Sequence, residues 1–173
     1  MSIEFLRIDD RFIHAQITWG WVPILKPNQV VVVYDEAAHD EYRKRVLFTA
    51  AEPILSFTKL KILSREEAVI DPSLGEDSQE KILLIIDKPA DVVFLIKNGI
   101  IIKNVSLGWM SERPGKMKIL GTVYVDSGDI TAFRELISMG VDVKYQATPS
   151  DTPIDAKEWM PEDGGRIRIE IIV

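Results

Sequence analysis

The sequence predicts a single-domain α/β protein with a doubly wound, mainly parallel sheet, helices on both faces and an antiparallel edge. A chain of 173 residues has room for one domain with a sizeable core. Short apolar runs alternate with helical patterns, as is typical of right-handed β–α–β crossovers. The runs "VVVV" and "ILLII" are apolar at consecutive positions, as expected of parallel strands that are covered on both faces.

Short apolar segments are predicted to form the strands. In chain order they are Ile3–Ile8, Gln29–Tyr34, Lys59–Leu63, Lys81–Ile86, Ile100–Leu107, Gly121–Val125 and Val141–Gln146. A later alternating segment, "RIRIEIIV" (Arg166–Val173), indicates an edge strand or an arm exchanged with another copy. In such a sheet the ligand site lies at the carboxyl ends of the strands, where the winding direction reverses.

Longer segments between these strands carry helix signals. Asp35–Ala51 opens with acids and continues with bases, which is the polarity that the helix dipole favours. Lys88–Gly99 has a proline in its opening turn and a glycine as its C-terminal stop. Ser127–Gly140 has polar cap candidates and another terminal glycine. The polar stretch Asp71–Glu80 is predicted to be a surface loop rather than a domain linker.

The composition excludes several classes of function. With 27 acids against 21 bases, the formal charge of −6 argues against binding to nucleic acid or to anionic membranes. The chain has no cysteine, which excludes disulfides, thiolate nucleophiles and zinc clusters. Its two histidines leave little for a transition-metal site. Neither a signal peptide nor an apolar run of bilayer-spanning length is recognised, so a cytoplasmic protein is expected.

One of the two histidines, His14, lies in the stretch "RIDDRFIHAQITWGW" directly after the first predicted strand. A neutral imidazole is a good acceptor for a phosphoryl group. Asp10 could orient the ring, and Arg11 could hold phosphate oxygens together with the backbone amides of the following helix. The alternative is structural: Asp9 or Asp10 caps a helix, Arg11 pairs with an acid, and His14 is a satisfied loop residue.

Other chemistries fit the sequence less well. Asp9, Asp10 and Asp35 suggest a magnesium pocket like that of receiver domains, but the third predicted strand does not end in the aspartate that such a pocket phosphorylates. No glycine-rich phosphate loop is present, so a nucleotide cofactor is not expected. His39 lies in a charged helix and is expected at the surface. Among the tryptophans, Trp109 has the best case for a role in the site, because it follows a predicted strand.

The stretch "RIDDRFIHAQITWGW" closely resembles the active-site loop of the IIB subunits of the mannose/fructose/sorbose branch of the bacterial phosphoenolpyruvate-dependent sugar phosphotransferase system. The family pattern is R-[IV]-D-[DS]-R-[LF]-[IL]-H-G-Q-V. The resemblance continues through "VVVYDEAAHDEYRKRVLFTAAEP", "DKPADVVFLIKNGIIIKNVSLGWM" and "DSGDITAFRELISMGVDVKYQATPSD". It implies a IIB-like phosphotransfer domain over residues 1–151 and a divergent C-terminal tail over residues 152–173.

The resemblance implies a phosphotransferase that works through a phosphohistidine. His14 matches the histidine that accepts a phosphoryl group from a IIA partner, on Nδ1, and passes it to a sugar during uptake. Asp10 and Arg11 match catalytic residues of the loop. Gln16, Asp35 and Gly108 match family positions and are expected to bind phosphate or a partner, and Trp109 joins them through its place in the loop after a predicted strand. Glu36 matches the second acid after the second predicted strand. No metal and no cofactor are implied.

The resemblance also implies partners: a IIA phosphohistidine donor, the membrane subunits IIC and IID that carry the sugar, and a second copy in a homodimer. It places the protein in the cytoplasm, with contact to the inner membrane through IIC and IID. The identity of the sugar does not follow, because the membrane subunits largely recognise it.

The sequence departs from the family pattern at three positions near the histidine. Ala15 replaces the usual glycine, Gly20 stands where a basic residue is usual, and Trp109 replaces a glycine in "GWM". If the usual glycine takes a positive φ, a Cβ at Ala15 would be strained. These departures motivate a second hypothesis, a regulatory IIB-like module that reports phosphorylation state without sugar transport.

Overall fold

The computed structural model describes residues 3–160 and confirms a mainly parallel sheet with helices on both faces and an antiparallel edge. The strands are β1 (Ile3–Asp9), β2 (Gln29–Val33), β3 (Lys59–Leu63), β4 (Ile82–Ile86), β5 (Asn104–Trp109), β6 (Met117–Leu120), β7 (Val123–Val125), β8 (Asp142–Tyr145) and β9 (Ile154–Asp155). The main sheet has the order β3-β2-β4-β1-β5-β8-β9. All of its pairs are parallel except β8 with β9.

Helices connect most of the strands. They are α1 (Val22–Leu25), α2 (Asp35–Ala38), α3 (Glu41–Ala51), α4 (Arg65–Ile70), α5 (Pro89–Lys97), α6 (Ser127–Ser138) and α7 (Ala156–Trp159). A π-helix over Gln16–Trp21 precedes α1, and short 3-10 turns cover Glu52–Ile54 and Pro72–Leu74. Within residues 3–160, no helix has the length and apolar character needed to span a bilayer.

The sheet separates two apolar layers. Every residue of β2 and β4 is buried, which agrees with their unbroken apolar sequences. On one face, Ile17, Trp21 and Leu47 from the π-helix and α3 pack against the sheet. On the other face, α5, α6 and α7 cover a larger cluster that includes Phe133 and Trp159. Each fully buried side chain of this size contributes about 1.5–3 kcal/mol of transfer free energy.

The predicted helix Asp35–Ala51 is divided into α2 and α3. The break falls at Asp40, whose side chain accepts hydrogen bonds from the backbone N–H groups of Tyr42 (2.9 Å) and Arg43 (3.1 Å). Aspartate is among the strongest N-cap residues, so it begins a new helix here instead of continuing the first.

Other elements also differ from the prediction. Helix α4 was not predicted; it begins with a capping box in which Ser64 and Glu67 bond each other's backbone N–H groups. The predicted strand Ile100–Leu107 begins only at Asn104. The predicted strand Gly121–Val125 pairs with β6 in a separate two-stranded sheet. The antiparallel edge is formed by β9, while Arg166–Val173, the predicted edge strand or exchanged arm, lies outside the described residues.

The winding direction reverses at β1 and β5. Strand β1 lies between β4 and β5, and the chain leaves β1 toward β2 on one side and leaves β5 toward β8 on the other. The carboxyl ends of β1 and β5 meet where Asp9 pairs with Trp109. Ligand sites in such sheets lie at this kind of junction. The loop that carries His14 starts there.

Candidate functional site

Two charged residues near the carboxyl end of β1 are fully buried. Arg7 and Asp9 alternate with Leu6 and Ile8 along the strand and therefore point to the same face of the sheet. The Arg7 guanidinium donates to the backbone carbonyls of Gln146 (Nη1, 2.8 Å) and Ala147 (Nη2, 2.8 Å). Its Nε lies 3.3 Å from Asp9 Oδ2. These contacts satisfy a charge that would be costly to bury alone.

Asp9 links the buried arginine to the loop. Its Oδ2 accepts from Arg11 Nη2 at 3.0 Å and contacts His14 Nε2 at 3.1 Å, and its Oδ1 accepts from Arg11 Nε at 3.0 Å. Burial alone raises the pKa of Asp9, but the hydrogen bonds from His14 and Arg11 outweigh it and hold the pKa below its ordinary value. The Asp9 carboxylate is therefore ionised at neutral pH.

His14 is held at both its backbone and its ring. Its carbonyl accepts from the N–H groups of Ile17 (2.9 Å) and Thr18 (3.0 Å) at the start of the π-helix. Because an ionised Asp9 can only accept, Nε2 carries the ring hydrogen when the imidazole is neutral, and Nδ1 keeps its lone pair. Nδ1 has no hydrogen-bond partner within residues 3–160, and the side chain is 18 % exposed. The ring thus presents a nucleophilic nitrogen.

Arg11 is fixed beside the imidazole on several sides. In addition to Asp9, Nη2 donates to Gln16 Oε1 at 2.9 Å. The guanidinium carbon lies 4.0 Å from the centre of the Trp109 ring, a cation–π geometry. Within the described part of the chain, Nη1 has no partner. The structure therefore brings His14, Arg11, Gln16 and Trp109 together, and Arg11 keeps its Nη1 amino group for an anion.

The backbone makes a strained turn between Asp9 and His14, and this turn brings His14 back to the Asp9 carboxylate. The Phe12 N–H donates to the Asp9 carbonyl at 3.0 Å, and Phe12 has a φ of +56°, which costs a non-glycine residue about 1 kcal/mol. Burial of the Phe12 ring against Tyr34, with centroids 4.3 Å apart, offsets this cost.

The ring-orienting contact predicted for Asp10 belongs to Asp9. Asp10 is the first residue after β1, and its carboxylate instead accepts from the Ser111 N–H (2.8 Å) and the Ser111 hydroxyl (2.8 Å), with Arg113 at 3.4 Å. Because side chains alternate along a strand, only Asp9 shares the face of Arg7. Through these hydrogen bonds, Asp10 connects the segment after β5 to the histidine loop.

Gly108 packs directly against Arg7. A Cβ on Gly108 would lie 1.9 Å from Arg7 Nη2, so only glycine leaves room for the guanidinium. The neighbouring Trp109 donates from its indole N–H to the Ser111 hydroxyl at 3.2 Å. Gly108 is therefore adjacent to the buried arginine, and Trp109 is adjacent to Arg11.

The two acids after β2 contact other elements. Asp35 accepts from the Arg65 N–H at 2.9 Å at the start of α4, and Glu36 lies 3.7 Å from Lys88. Neither contacts Asp9 or His14, so the receiver-like grouping of Asp9 and Asp35 does not form. In residues 3–160, no group of three or more histidines and acids is arranged to hold a metal ion.

The departures from the family pattern introduce no strain. Ala15 has a φ of −53°, an ordinary right-handed conformation, so its Cβ costs nothing there. A Cβ at Gly20 would make only an ordinary contact, 3.6 Å from Pro149. His39 is exposed, as expected.

Similarity to known proteins agrees with this geometry. The family model for the PTS system sorbose subfamily IIB component matches residues 3–166. The sorbose-specific EIIB component of Klebsiella pneumoniae is 32 % identical over 162 residues, covering 94 % of this chain and 97 % of that protein. The N-acetylgalactosamine-specific IIB component 2 of Escherichia coli is 35 % identical over 156 residues, covering 89 % and 96 % of the two chains.

A solved structure shares the fold. The crystal structure of the IIB domain of the sorbose permease from Klebsiella pneumoniae superposes with a TM-score of 0.81 at 32 % identity, covering 91 % of this chain and 95 % of that one. The residues matched by the family model, 3–166, include both the sheet and the histidine loop. This chain belongs to the sorbose subfamily of IIB components, the sugar-specific phosphotransferase subunits of the phosphotransferase system.

Proposed function

We propose that His14 carries the phosphoryl group on Nδ1. The observation that supports this most directly is the 3.1 Å contact between His14 Nε2 and Asp9 Oδ2, which directs Nδ1 away from the carboxylate. Catalysis by a positioned nucleophile requires an orienting group on the far side of the ring. Asp9 supplies that group, and its own position is fixed by Arg7.

In the first step the Nδ1 lone pair attacks the phosphorus of a IIA phosphohistidine. A new P–N bond forms as the donor P–N bond breaks, and the donor ring, protonated on its other nitrogen, leaves as neutral imidazole. The phosphorylated His14 ring becomes cationic, with its proton on Nε2. Asp9 stabilises that charge through the existing hydrogen bond.

Arg11 stabilises the phosphoryl oxygens during transfer. Phosphoryl transfer requires mainly in-line positioning and stabilisation of charge on the three equatorial oxygens. The free Nη1 of Arg11 suits this task because the rest of the guanidinium is held by Asp9, Gln16 and Trp109. A guanidinium that is already immobilised loses little conformational entropy when it binds the anion.

In the second step a sugar hydroxyl attacks the phosphorus on His14. The Nδ1–P bond breaks, the ring recovers its lone pair, and the hydroxyl proton leaves to a base of the acceptor complex or to water. The sugar phosphate is the product. For this chain the proposed donor is a IIA protein and the proposed acceptors are sugars carried by IIC and IID. With these partners, the proposed location of the protein is the cytoplasm and the inner face of the membrane.

The proposed homodimer rests on the family resemblance. Sedimentation equilibrium of the purified protein over a range of concentrations tests it, and a single species with the 19.6 kDa chain mass at all concentrations would contradict it.

A phosphorylation assay tests the assignment of His14. We expect incubation with phosphoenolpyruvate, the general phosphocarrier proteins and a IIA protein to give a label that is lost in acid and stable in base. His14→Ala should abolish the label. His39→Ala is the matched control, because His39 is the other histidine and is exposed on the surface. Equal labelling of His14→Ala and wild type would refute the proposal.

A further inference from the structure

A pocket of about 510 Å³ opens beside the candidate site, between the histidine loop and the start of α3. Arg11 and Phe12 line it from the loop, and Tyr34, Tyr42 and Val46 line it from the end of β2 and from α3. Its volume lies within the range of pockets that bind ligands or side chains. Arg11 belongs both to this pocket and to the cluster around Asp9. A molecule bound in the pocket would therefore contact Arg11, which bonds to Asp9, the hydrogen-bond partner of His14.

Two exposed side chains with apolar surface line the α3 side of the pocket. Tyr42 is 76 % exposed and Val46 is 50 % exposed. They are four residues apart on one helix and therefore lie on the same face. An exposed tyrosine beside a pocket that also contains arginine has the composition of a protein-binding surface. The apolar wall suits an apolar side chain of a partner.

The charges of the pocket favour an anionic partner. Its acids are already engaged: Asp10 by Ser111 and Arg113, and Asp40 by the first N–H groups of α3. Arg43 is bound to the Tyr34 hydroxyl at 3.0 Å. Among the described residues, Nη1 of Arg11 and Nη2 of Arg43 have no hydrogen-bond partner, so both guanidinium groups can donate to an anion. A donor protein brings a doubly charged phosphoryl group, whereas the sugar acceptor brings a neutral hydroxyl.

We propose that this pocket docks the phosphorylated IIA donor, which inserts an apolar side chain between Tyr42 and Val46 and directs its phosphoryl group toward Arg11. This proposal rests on the proposed function of His14. It also explains how the donor can leave. Once the phosphoryl group is on His14, it occupies Nη1 of Arg11, and the pocket attracts a second phosphorylated donor less strongly.

Two phosphoryl donors of different size test the docking. Wild type, Tyr42→Ala and Val46→Lys are compared for phosphorylation of His14 by phosphorylated IIA and by phosphoramidate, a small donor that needs no protein surface. We expect KM for IIA to rise at least tenfold in both variants, so that the IIA rate relative to the phosphoramidate rate falls by the same factor. Ile70→Lys is the matched control, because Ile70 is 79 % exposed on α4 and does not line the pocket.

The outcomes separate the two proposals. An unchanged KM for IIA in both α3 variants overturns the docking proposal. Slower transfer from His14 to sugar in vesicles that contain IIC and IID, with KM for IIA unchanged, assigns the pocket to the membrane subunits and also overturns it. Equal labelling of wild type and His14→Ala by phosphorylated IIA would instead show that the proposed function is wrong. Thermal unfolding of each variant confirms that it remains folded.

Discussion

Nε2 of His14 lies 3.1 Å from Oδ2 of Asp9, a carboxylate with no exposure to solvent. The same oxygen is 3.3 Å from Nε of the fully buried Arg7. Arg7 in turn donates to two backbone carbonyls beyond β8. The orientation of the imidazole is therefore fixed by the sheet itself and does not depend on the loop alone.

Asp9→Asn should reduce phosphoryl transfer to His14 by about 10²-fold or more. An asparagine amide can present its NH2 group to the ring, which would favour the wrong tautomer, and it cannot stabilise a cationic phosphohistidine. The change also leaves the Arg7 charge buried without its counter-ion, so the free energy of unfolding should fall by about 3 kcal/mol. Rapid-quench labelling and urea unfolding measure the two effects.

Asp10→Asn is the matched control for Asp9→Asn. Asp10 contacts Ser111 and Arg113 but not His14, so transfer should stay within a few-fold of wild type. A larger loss in Asp10→Asn than in Asp9→Asn would reverse our assignment of the two carboxylates.

Asp9 should also contribute to the pH dependence of stability. Its pKa is lower in the folded protein than the ordinary value of 3.8. The stabilisation is therefore present above the unfolded-state pKa and is lost as the pH falls through the folded-state pKa. As the solution is acidified below pH 4, the free energy of unfolding should therefore fall less in Asp9→Asn than in wild type. Urea unfolding at several pH values measures this difference. Parallel curves for the two proteins would contradict this.

Gly108→Ala should destabilise the protein by about 2–4 kcal/mol. The new Cβ would lie 1.9 Å from Arg7 Nη2. A shift of the guanidinium away from it would disturb the hydrogen bonds to Asp9, to the Ser106 hydroxyl and to the carbonyls of residues 146 and 147. Gly20→Ala is the control, because its Cβ meets only Pro149 at 3.6 Å, and it should change stability by less than about 1 kcal/mol. Equal unfolding midpoints for wild type and Gly108→Ala would show that Arg7 can move at little cost.

The sequence predicted the central sheet well because its strands are marked by unbroken apolar runs. It could not distinguish Asp9 from Asp10, since that choice depends on where β1 ends and which residue faces the buried side. A signal was nevertheless present. Arg7 and Asp9 interrupt the apolar strand "FLRID" at alternate positions, which predicts a buried ion pair on one face.

The features that the sequence did not predict also have physical explanations. Helix α4 follows β3 with no separating loop, but the Ser64–Glu67 capping pattern marks its start. The segment Gly121–Val125 has the composition of a strand, and composition does not specify the sheet that a strand joins. The contact of Trp109 with Arg11 joins the end of β5 to the loop after β1, and the sequence could indicate only that these two segments lie close together.

Asp87→Asn should stabilise the protein above neutral pH. Asp87 follows β4, is 8 % exposed, and its Oδ1 has no hydrogen-bond partner in residues 3–160. Burial raises the pKa of Asp87 from 3.8 to about 6, although nearby Lys88 opposes the change. Because the folded-state pKa is raised, the favourable contribution is present below the unfolded-state pKa and is lost as the pH rises through about 6.

The asparagine variant removes this cost of ionisation. We expect Asp87→Asn to gain up to about 3 kcal/mol over wild type at pH 8 and much less at pH 4. Urea unfolding at both pH values measures the difference. Lys88→Met is a useful companion change, since removing the cation should raise the pKa of Asp87 further. A gain in Asp87→Asn that is equal at both pH values would show that titration is not its cause.

Trp109→Gly should slow phosphorylation of His14 by about two- to fivefold when phosphoramidate is the donor. The Trp109 ring lies against the Arg11 guanidinium at 4.0 Å, a contact worth about 0.5–1 kcal/mol at a partly exposed site. Without the Trp109 ring, the Arg11 side chain has more conformational freedom, which it must lose when it binds the phosphoryl oxygens. Trp109→Phe keeps a ring beneath Arg11 and should lose less. Trp19→Phe is the control, because Trp19 is 70 % exposed and has no ring contact with an arginine in the described residues. If Trp109→Gly reacts as fast as wild type, Asp9 and Gln16 are sufficient to hold Arg11 in place.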